Sequence, residues 1–149
     1  MSLKKYKIVI ASDHAGFDLK ESLGVWLTKH GHDVKDLGPH SDESVDYPDF
    51  GKKLGDAMTA GEAEFGIAIC GSGIGISIAV NRFSAVRSAL CRDKDDAFMA
   101  RLHNDANVLA LGARKTDDKT AKDIVRVFLD TEFEGGRHAR RVEKLGSCS

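Results

Sequence analysis

One stretch, from Phe65 to Ser77, constrains the fold of this chain more than any other. Its first six residues, Phe65–Cys70, form a short apolar run that is typical of a buried parallel strand. Glycines follow at positions 71, 73 and 75, and the next residues can begin a helix. Glycine allows positive φ and lets a ligand approach the backbone closely. The pattern therefore predicts a strand, a ligand-binding glycine loop and a helix.

The glycine loop has the chemistry of an anion site that carries a thiol. Free N–H groups at the start of a helix favour an anion, and Cys70 directly precedes them. These surroundings would favour the thiolate form of the cysteine. A thiol beside backbone donors suits a base that removes a proton from carbon while the N–H groups stabilise the oxyanion. The local sequence is equally compatible with a small buried hydrophobe in a tight turn.

Three familiar phosphate or nucleotide signatures are missing from this loop. A dinucleotide fingerprint requires glycine at the position of Ile76, and a P-loop requires a Gly-Lys-Ser/Thr sequence that is absent. A cysteine phosphatase, as a class, requires arginine where Ile76 stands. The loop therefore fits none of these classes.

The length and composition are those of an ordinary globular chain with one domain over residues 1–149. The net charge is −1, so no basic field indicates binding to nucleic acid or to a membrane surface. No apolar run reaches membrane-spanning length, and the first residues lack a signal-peptide pattern. We therefore expect neither nucleic acid nor a membrane as a partner.

The cysteines and histidines indicate neither a disulfide framework nor a metal site. Cys70, Cys91 and Cys148 are odd in number and widely spaced, which favours a reducing, cytoplasmic setting. Cys91 is expected in the core and Cys148 at the surface. His30 and His32 form the only close histidine pair, and we expect them in a solvated turn at a helix end.

Apolar runs and helical spacings alternate along the whole chain. Strands are predicted at residues 6–11, 33–37, 65–70, 86–91 and 107–111. Apolar residues at helical spacing occupy the intervals, as Leu19, Leu23 and Leu27 do in the first. Residues 103–105 are predicted to form a turn. This alternation predicts an α/β fold whose parallel sheet carries helices on both faces.

Polar clusters follow several of the predicted strands, where ligands bind in such sheets. The residues concerned are Asp13 with His14, Cys70 with its glycines, Arg92 with Asp93, and Arg114. The turns at Asp13 and Cys70 should share one rim. His103 precedes a strand instead, so it would reach that rim only if the turn between helix and strand folded towards it.

Each candidate also has an ordinary structural role, which is the better interpretation when the residue is taken alone. Asp13 could act in acid–base chemistry or cap the first helix. His103 could shuttle protons near neutral pH or act as a cation at a helix C-terminus. Arg137 and Arg141, four residues apart, could bind a phosphate or lie on a solvated terminal helix.

Five motifs, taken in order, resemble the RpiB/LacAB family of sugar-phosphate isomerases, in particular its type B ribose-5-phosphate isomerases. They are SDHAG at 12–16, DYP at 46–48, CGSGIG at 70–75, HNDANVL at 103–109 and EGGRH at 134–138. The resemblance runs nearly end to end. It implies a Rossmann-like, three-layer αβα sandwich with a five-stranded parallel sheet. It also implies a homodimer, or a dimer of dimers, whose active sites are shared between subunits.

The activity implied by the resemblance is the interconversion of ribose 5-phosphate and ribulose 5-phosphate through a cis-enediolate, in the non-oxidative pentose phosphate pathway. No metal or organic cofactor is implied. Some relatives act on six-carbon sugar phosphates such as allose or galactose 6-phosphate, so that alternative stays open. A non-catalytic phosphosugar-binding domain on the same scaffold is a further alternative.

The resemblance assigns roles by position. Cys70 matches the base, because Ile74 stands where another branch of the family has a glutamate. The positions that match the enediolate-binding loop are Gly71, Ser72, Gly73 and Gly75. Those that match sugar contacts are Asp13, His103, Asn104 and Tyr47, with Asp13 or His103 opening the ring. Those that match the phosphate site are His14, Arg114, Arg137 and Arg141, the last two reaching across from a partner on a basic tail at about 135–149.

Overall fold

Helices and strands alternate throughout the computed structural model, which describes residues 4–147. Cys148, predicted at the surface, lies outside these residues. The elements are β1 (Lys7–Ser12), α1 (Phe17–Lys29), β2 (Asp33–Asp36), α2 (Tyr47–Thr59), β3 (Phe65–Cys70), α3 (Ile74–Val80), β4 (Ser88–Leu90), α4 (Lys94–Asn104), β5 (Val108–Gly112), α5 (Asp118–Asp130) and α6 (Arg137–Leu145). Among residues 4–147, no helix combines the length and apolar character needed to cross a bilayer.

The five strands form one parallel sheet in the order β2-β1-β3-β5-β4. The central strand β3 lies between β1 and β5, with Ser12 opposite Ile69 and Cys70 opposite Gly112. The carboxyl ends of these three strands therefore lie side by side. The predicted α/β, Rossmann-like fold with five parallel strands is confirmed.

Side chains that alternate along each strand build two cores, one on each face of the sheet. Ile8 and Ile10 pack with α1, α4 and α5, whereas Val9 and Ala11 pack with α2 and α3. Because the central strands are covered on both faces, their sequences read as unbroken apolar runs. The entire length of β3 is buried for this reason.

Two elements differ from the sequence prediction by more than one residue at one end. The edge strand β4 covers only Ser88–Leu90 rather than residues 86–91. The predicted turn at 103–105 is wrong at its first two positions, since α4 continues through Asn104. The helix ends at Asp105, which has a left-handed conformation (φ 46°), and the N–H of Ala106 donates a hydrogen bond to the carbonyl of Ala100.

The expectation of a solvated turn is wrong for His32. Its side chain is buried, its ring stacks on Tyr6, and its Nδ1 accepts the Tyr6 N–H at 3.2 Å. The imidazole thus serves as a hydrogen-bond acceptor beside the start of β1. Cys91, by contrast, lies in the core as predicted, and burial raises the pKa of its thiol to about 12.

Candidate active site

The turns after β1 and β3 lie together at the carboxyl edge of the sheet. The Asp13 N–H donates to the carbonyl of Ile69 at 3.0 Å, and Asp13 Oδ1 accepts the Gly16 N–H at 3.1 Å. A Cβ at Gly16 would lie 2.8 Å from the Ile69 carbonyl oxygen, so only glycine lets this turn lie so close to β3. The predicted shared rim of Asp13 and Cys70 is confirmed, and the Asp13 carboxylate stabilises the turn that precedes α1.

The glycine loop wraps around the Cys70 thiol. This side chain is 4% exposed, and its Sγ accepts the Gly73 N–H at 3.2 Å. Gly73 has φ +79°, the left-handed conformation that lets the chain turn directly into α3. The Ser72 hydroxyl accepts the Ile74 N–H at 3.1 Å. Two N–H groups of the loop thus donate to the sulfur of Cys70 and to the hydroxyl of Ser72. A ligand oxygen could replace either of these acceptors.

A cation and an aromatic ring lie against this loop. The Arg114 guanidinium packs on Gly71, where an added Cβ would lie 2.8 Å from its Nη1. The Arg114 N–H also donates to the Gly71 carbonyl at 3.0 Å, which fixes the backbone after β5 beside the loop. Tyr47 covers Gly75, where a Cβ would lie 2.7 Å from the ring. Glycines at 71 and 75 are therefore required for the close approach of these two side chains.

His14 ties the β1 turn to the loop before α2. Its Nδ1 lies 3.1 Å from the amide nitrogen and 3.2 Å from the carbonyl oxygen of Val45. Because Tyr47 follows two residues later, this contact also helps to position the aromatic wall of the site. We refer to Asp13, His14, Tyr47, Arg114 and the 70–75 loop as the carboxyl-edge half-site.

His103 and Asn104 lie at the opposite edge of the sheet. They are the last residues of α4, which returns from the carboxyl edge to the start of β5. The five residues of β5, at about 3.3 Å each, separate the two edges by roughly 13 Å. The following turn does not fold back towards Cys70, because Asn107 pairs with Arg87, the residue just before β4. His103 therefore does not meet Cys70 within one chain.

A second group of predicted residues surrounds His103. A surface cavity of about 320 Å³ is lined by His103, Asn104, His138, Arg141, Val142 and Leu145. Arg137 and Arg141 lie one turn apart on α6, both exposed. We refer to His103, Asn104, Arg137 and Arg141 as the amino-edge half-site. It holds the imidazole and two of the cations, whereas the thiol and the glycine loop lie at the carboxyl edge.

Sequence reasoning missed His138 and Glu134. The His138 ring is 7% exposed and stacks on His103 with centroids 4.3 Å apart, and His103 Nε2 lies 3.8 Å from Glu134 Oε2. Burial lowers the pKa of His138, and the charges of His103 and Arg137 lower it further. These three side chains could together bind a metal ion. Both residues belong to the EGGRH motif at 134–138, but the sequence alone gave neither of them a role.

Comparison with known proteins places the chain among isomerases. The family model described as Ribose/Galactose Isomerase matches residues 8–145. Ribose-5-phosphate isomerase B of Escherichia coli K12 is 43% identical over 139 residues, which cover 93% of each chain. The structure of Clostridium thermocellum ribose-5-phosphate isomerase B is 52% identical, with a TM-score of 0.93 and 95% of each chain covered.

A further structure holds a bound sugar phosphate. It is ribose-5-phosphate isomerase B from Mycoplasma genitalium with bound ribulose-5-phosphate, 40% identical to this chain with a TM-score of 0.90. The match covers 95% of this chain and 94% of that one. The family model and the relatives thus agree with the fold across almost the entire chain. The chain belongs to the Ribose/Galactose Isomerase family and is an isomerase.

Proposed function

We propose that this enzyme interconverts ribose 5-phosphate and ribulose 5-phosphate, with Cys70 as the base. The observation that carries the proposal is the carboxyl-edge half-site, where the Cys70 thiol, the Gly73 N–H and the Arg114 guanidinium converge. The substrate follows from the names of the relatives, one of which was solved with bound ribulose-5-phosphate. This reaction belongs to the non-oxidative pentose phosphate pathway.

The carboxyl-edge half-site suits proton transfer between adjacent carbons. Cys70 would take the proton from C2 of the open-chain aldose and return it to C1 of the resulting cis-enediolate. The N–H groups of the 70–75 loop would stabilise the negative oxygen as it forms, each contributing about 3 kcal/mol to lowering the barrier. The Asp13 carboxylate, on the same rim, would exchange the hydroxyl proton between the two oxygens. All of these steps use side chains and backbone alone.

Opening of the sugar ring and much of the phosphate binding would use the amino-edge half-site. His103 would protonate the ring oxygen, Asn104 would contact the sugar, and Arg137 and Arg141 would bind the phosphate together with His14 and Arg114. Since roughly 13 Å of sheet separates the two half-sites, one chain cannot offer both to one substrate. We therefore infer that a second copy completes each site.

Exposed apolar side chains support this assembly. Ile74 and Ile78 project from α3 beside the glycine loop, and Leu145 lies on α6 at the border of the amino-edge cavity. Exposed apolar residues beside both half-sites are typical of a two-fold interface. In such an interface the same contacts between subunits form twice. The proposed state is a homodimer, or a dimer of such dimers, with the 135–149 tail in contact with the partner.

Mixing of inactive variants tests the shared site. Cys70→Ala and His103→Asn each abolish turnover alone, because every site lacks one group. After subunit exchange, each mixed dimer contains one site with both Cys70 and His103, so an equal mixture should recover roughly a quarter of wild-type turnover. Turnover is measured with ribose 5-phosphate after brief mild denaturation and refolding of the mixture.

A matched control uses two variants of the same half-site. When Cys70→Ala is mixed with Asp13→Asn, every site in the mixed dimer carries one defect, so no recovery is expected. Equal recovery in both mixtures, or in neither, would contradict a site that is divided between subunits.

Substrate preference is tested directly with two sugars. The family description names both ribose and galactose, so ribose 5-phosphate and a six-carbon sugar phosphate are offered side by side. A higher kcat/KM for the six-carbon sugar phosphate would assign that sugar as the substrate and leave the proposed proton transfer unchanged. Binding without turnover of either sugar by the wild type would favour a phosphosugar-binding domain.

A cytoplasmic location remains a prediction from the cysteine pattern.

A further inference from the structure

His138 has a buried ring nitrogen without a hydrogen-bond partner. Within residues 4–147, its Nε2 is one of two buried side-chain polar atoms left unpaired. Buried polar groups in native proteins are nearly always hydrogen-bonded, so such an atom needs an explanation. The ring stacks on His103, but stacking uses its face and leaves Nε2, which lies in the ring plane, without a partner.

The backbone brings a carboxylate to the same place. Gly135 and Gly136 both have positive φ (73° and 56°), and the turn they form lies across the end of α4. The Glu134 N–H donates to the carbonyl of Leu102 at 3.0 Å, and the His138 N–H donates to that of Gly135 at 3.1 Å. Glu134 and His138 are thus held beside His103 by backbone hydrogen bonds.

We propose that His103, Glu134 and His138 bind a divalent transition metal such as Zn²⁺, which blocks the amino-edge half-site. One nitrogen from each ring and one carboxylate oxygen all lie within 4.8 Å of one another. Two imidazoles, a carboxylate and a water form a common zinc coordination set, in which tetrahedral bonds of about 2.1 Å hold the ligand atoms roughly 3.4 Å apart. The cluster must therefore contract by about an ångström.

Access to the cluster also fits metal binding. The side chains of His103 and Glu134 are 30% and 49% exposed, which leaves a route for the ion and room for a bound water. Arg137 and Arg141 lower the affinity for any cation nearby, so this site is suited to reversible inhibition rather than to permanent occupancy.

Inhibition follows from the ring geometry. A metal lies in the plane of each imidazole that binds it, so two rings stacked at 16° cannot both coordinate one ion without a rotation. His103 is the more exposed ring and would turn out of the stack. This part of the inference rests on the proposed function, in which a neutral His103 approaches the sugar ring.

Binding is tested on the full chain with Co²⁺, whose visible absorption reports its ligands. We expect the wild type to bind one ion without the thiolate charge-transfer band that a cysteine ligand would add. Glu134→Gln and His138→Gln should each weaken binding at least about tenfold. His40→Gln, at an exposed histidine elsewhere, should leave binding unchanged. Because Glu134 is half exposed, its variant tests the site even where the His138 variant fails to fold.

Inhibition is then measured with Zn²⁺ in the isomerase assay. The wild type should lose activity and recover it with a chelator, whereas whatever activity Glu134→Gln shows without the ion should resist Zn²⁺. Unchanged Co²⁺ affinity in Glu134→Gln, or a thiolate band in the only bound species, would overturn the site. Binding at these residues without loss of turnover would overturn its inhibitory effect. An enzyme with no turnover of any sugar phosphate would refute the proposed function, while the Co²⁺ titration still tests the metal site.

Discussion

Cys70 and Cys91 are both buried free thiols, yet they have very different neighbours. Cys91 lies in the apolar core, where burial and the charges of Asp96 and Asp93 raise its pKa to about 12. The Cys70 sulfur instead accepts a backbone N–H from a glycine loop and ends a strand at the carboxyl edge. The surroundings of each thiol, rather than its exposure, therefore determine which one can take part in chemistry.

Replacement of the two cysteines should have opposite effects on turnover. We expect Cys70→Ala to lower kcat by about 10³-fold with little change in KM, because it removes the proton-transfer group and leaves the phosphate site intact. Cys91→Ala should keep kcat near the wild-type value. Steady-state kinetics with ribose 5-phosphate decide the matter, and substantial turnover by Cys70→Ala would exclude the thiol as base.

His32 should make the stability of the fold depend on pH. Burial, and then the charges of Lys5 and His30, lower its pKa below the ordinary value of 6.5. The unfolded chain therefore binds the proton more readily, and the stabilisation present above the unfolded pKa is lost as the pH falls below it. We expect the Tm to fall between about pH 7.5 and pH 5.5 and the fall to be smaller in His32→Gln.

His40→Gln is the control for this titration, because His40 is exposed. Its Tm should change with pH as that of the wild type does. An equal change in His32→Gln would assign the pH dependence to other groups.

At the scale of elements, glycines fix how closely the loops and strands approach one another. A Cβ at Gly112, the last residue of β5, would lie 2.5 Å from the Ser72 carbonyl oxygen. That contact holds the glycine loop against the neighbouring strand. Gly24, within α1, has no atom within 4 Å of the same added carbon. The two glycines therefore differ in function although each lies inside a regular element.

Alanine at these two positions should change stability in opposite directions. We expect Gly112→Ala to lower the free energy of unfolding by about 2 kcal/mol, because backbone must move to accommodate the new methyl group. Gly24→Ala should raise it by about 0.5–1 kcal/mol, since alanine restricts the unfolded chain and suits a helix. Urea denaturation measures both, and a stable Gly112→Ala variant would show that the loop can move away from β5.

Hydrophobic periodicity predicts a strand well where both of its faces are buried. It predicts the end of a helix poorly where local capping contacts determine that end. The runs 8–11 in β1 and 65–70 in β3 are apolar throughout because both of their faces are covered, so these strands are evident from sequence. The end of α4 is different. It depends on the left-handed conformation of Asp105 and on the hydrogen bond from the Ala106 N–H to the Ala100 carbonyl. Neither feature produces a pattern of apolar residues in the sequence.

For the molecule as a whole, the order of strands explains which site residues meet. Asp13 and Cys70 share a rim, as the sequence predicts, because β1 and β3 are neighbours. His103 lies at the other edge because α4 runs antiparallel to the strands. The contact of His138 with His103 depends on the path of residues 134–138 across α4, which the sequence pattern does not determine.

A charge on the exposed face of α3 should disrupt the assembly. Ile78 on α3 and Val25 on α1 are 60% and 56% exposed and lie on opposite faces of the sheet. We expect Ile78→Asp to dissociate the proposed dimer and to reduce turnover as the protein is diluted, because a buried charge opposes association. Val25→Asp should change neither. Sedimentation with parallel activity assays tests this, and a dimeric, fully active Ile78→Asp would move the interface elsewhere.

The location of the thiol and His103 at opposite edges of one sheet has a consequence for inheritance. Loss-of-function alleles of this gene would fall into two groups, those at the carboxyl edge and those at the amino edge. If a second copy completes each site as proposed, a cell that carries one allele from each group would have isomerase activity, although neither allele supplies it alone. Two alleles from the same group would fail together, so a genetic cross could map the two halves of the site without any purified protein.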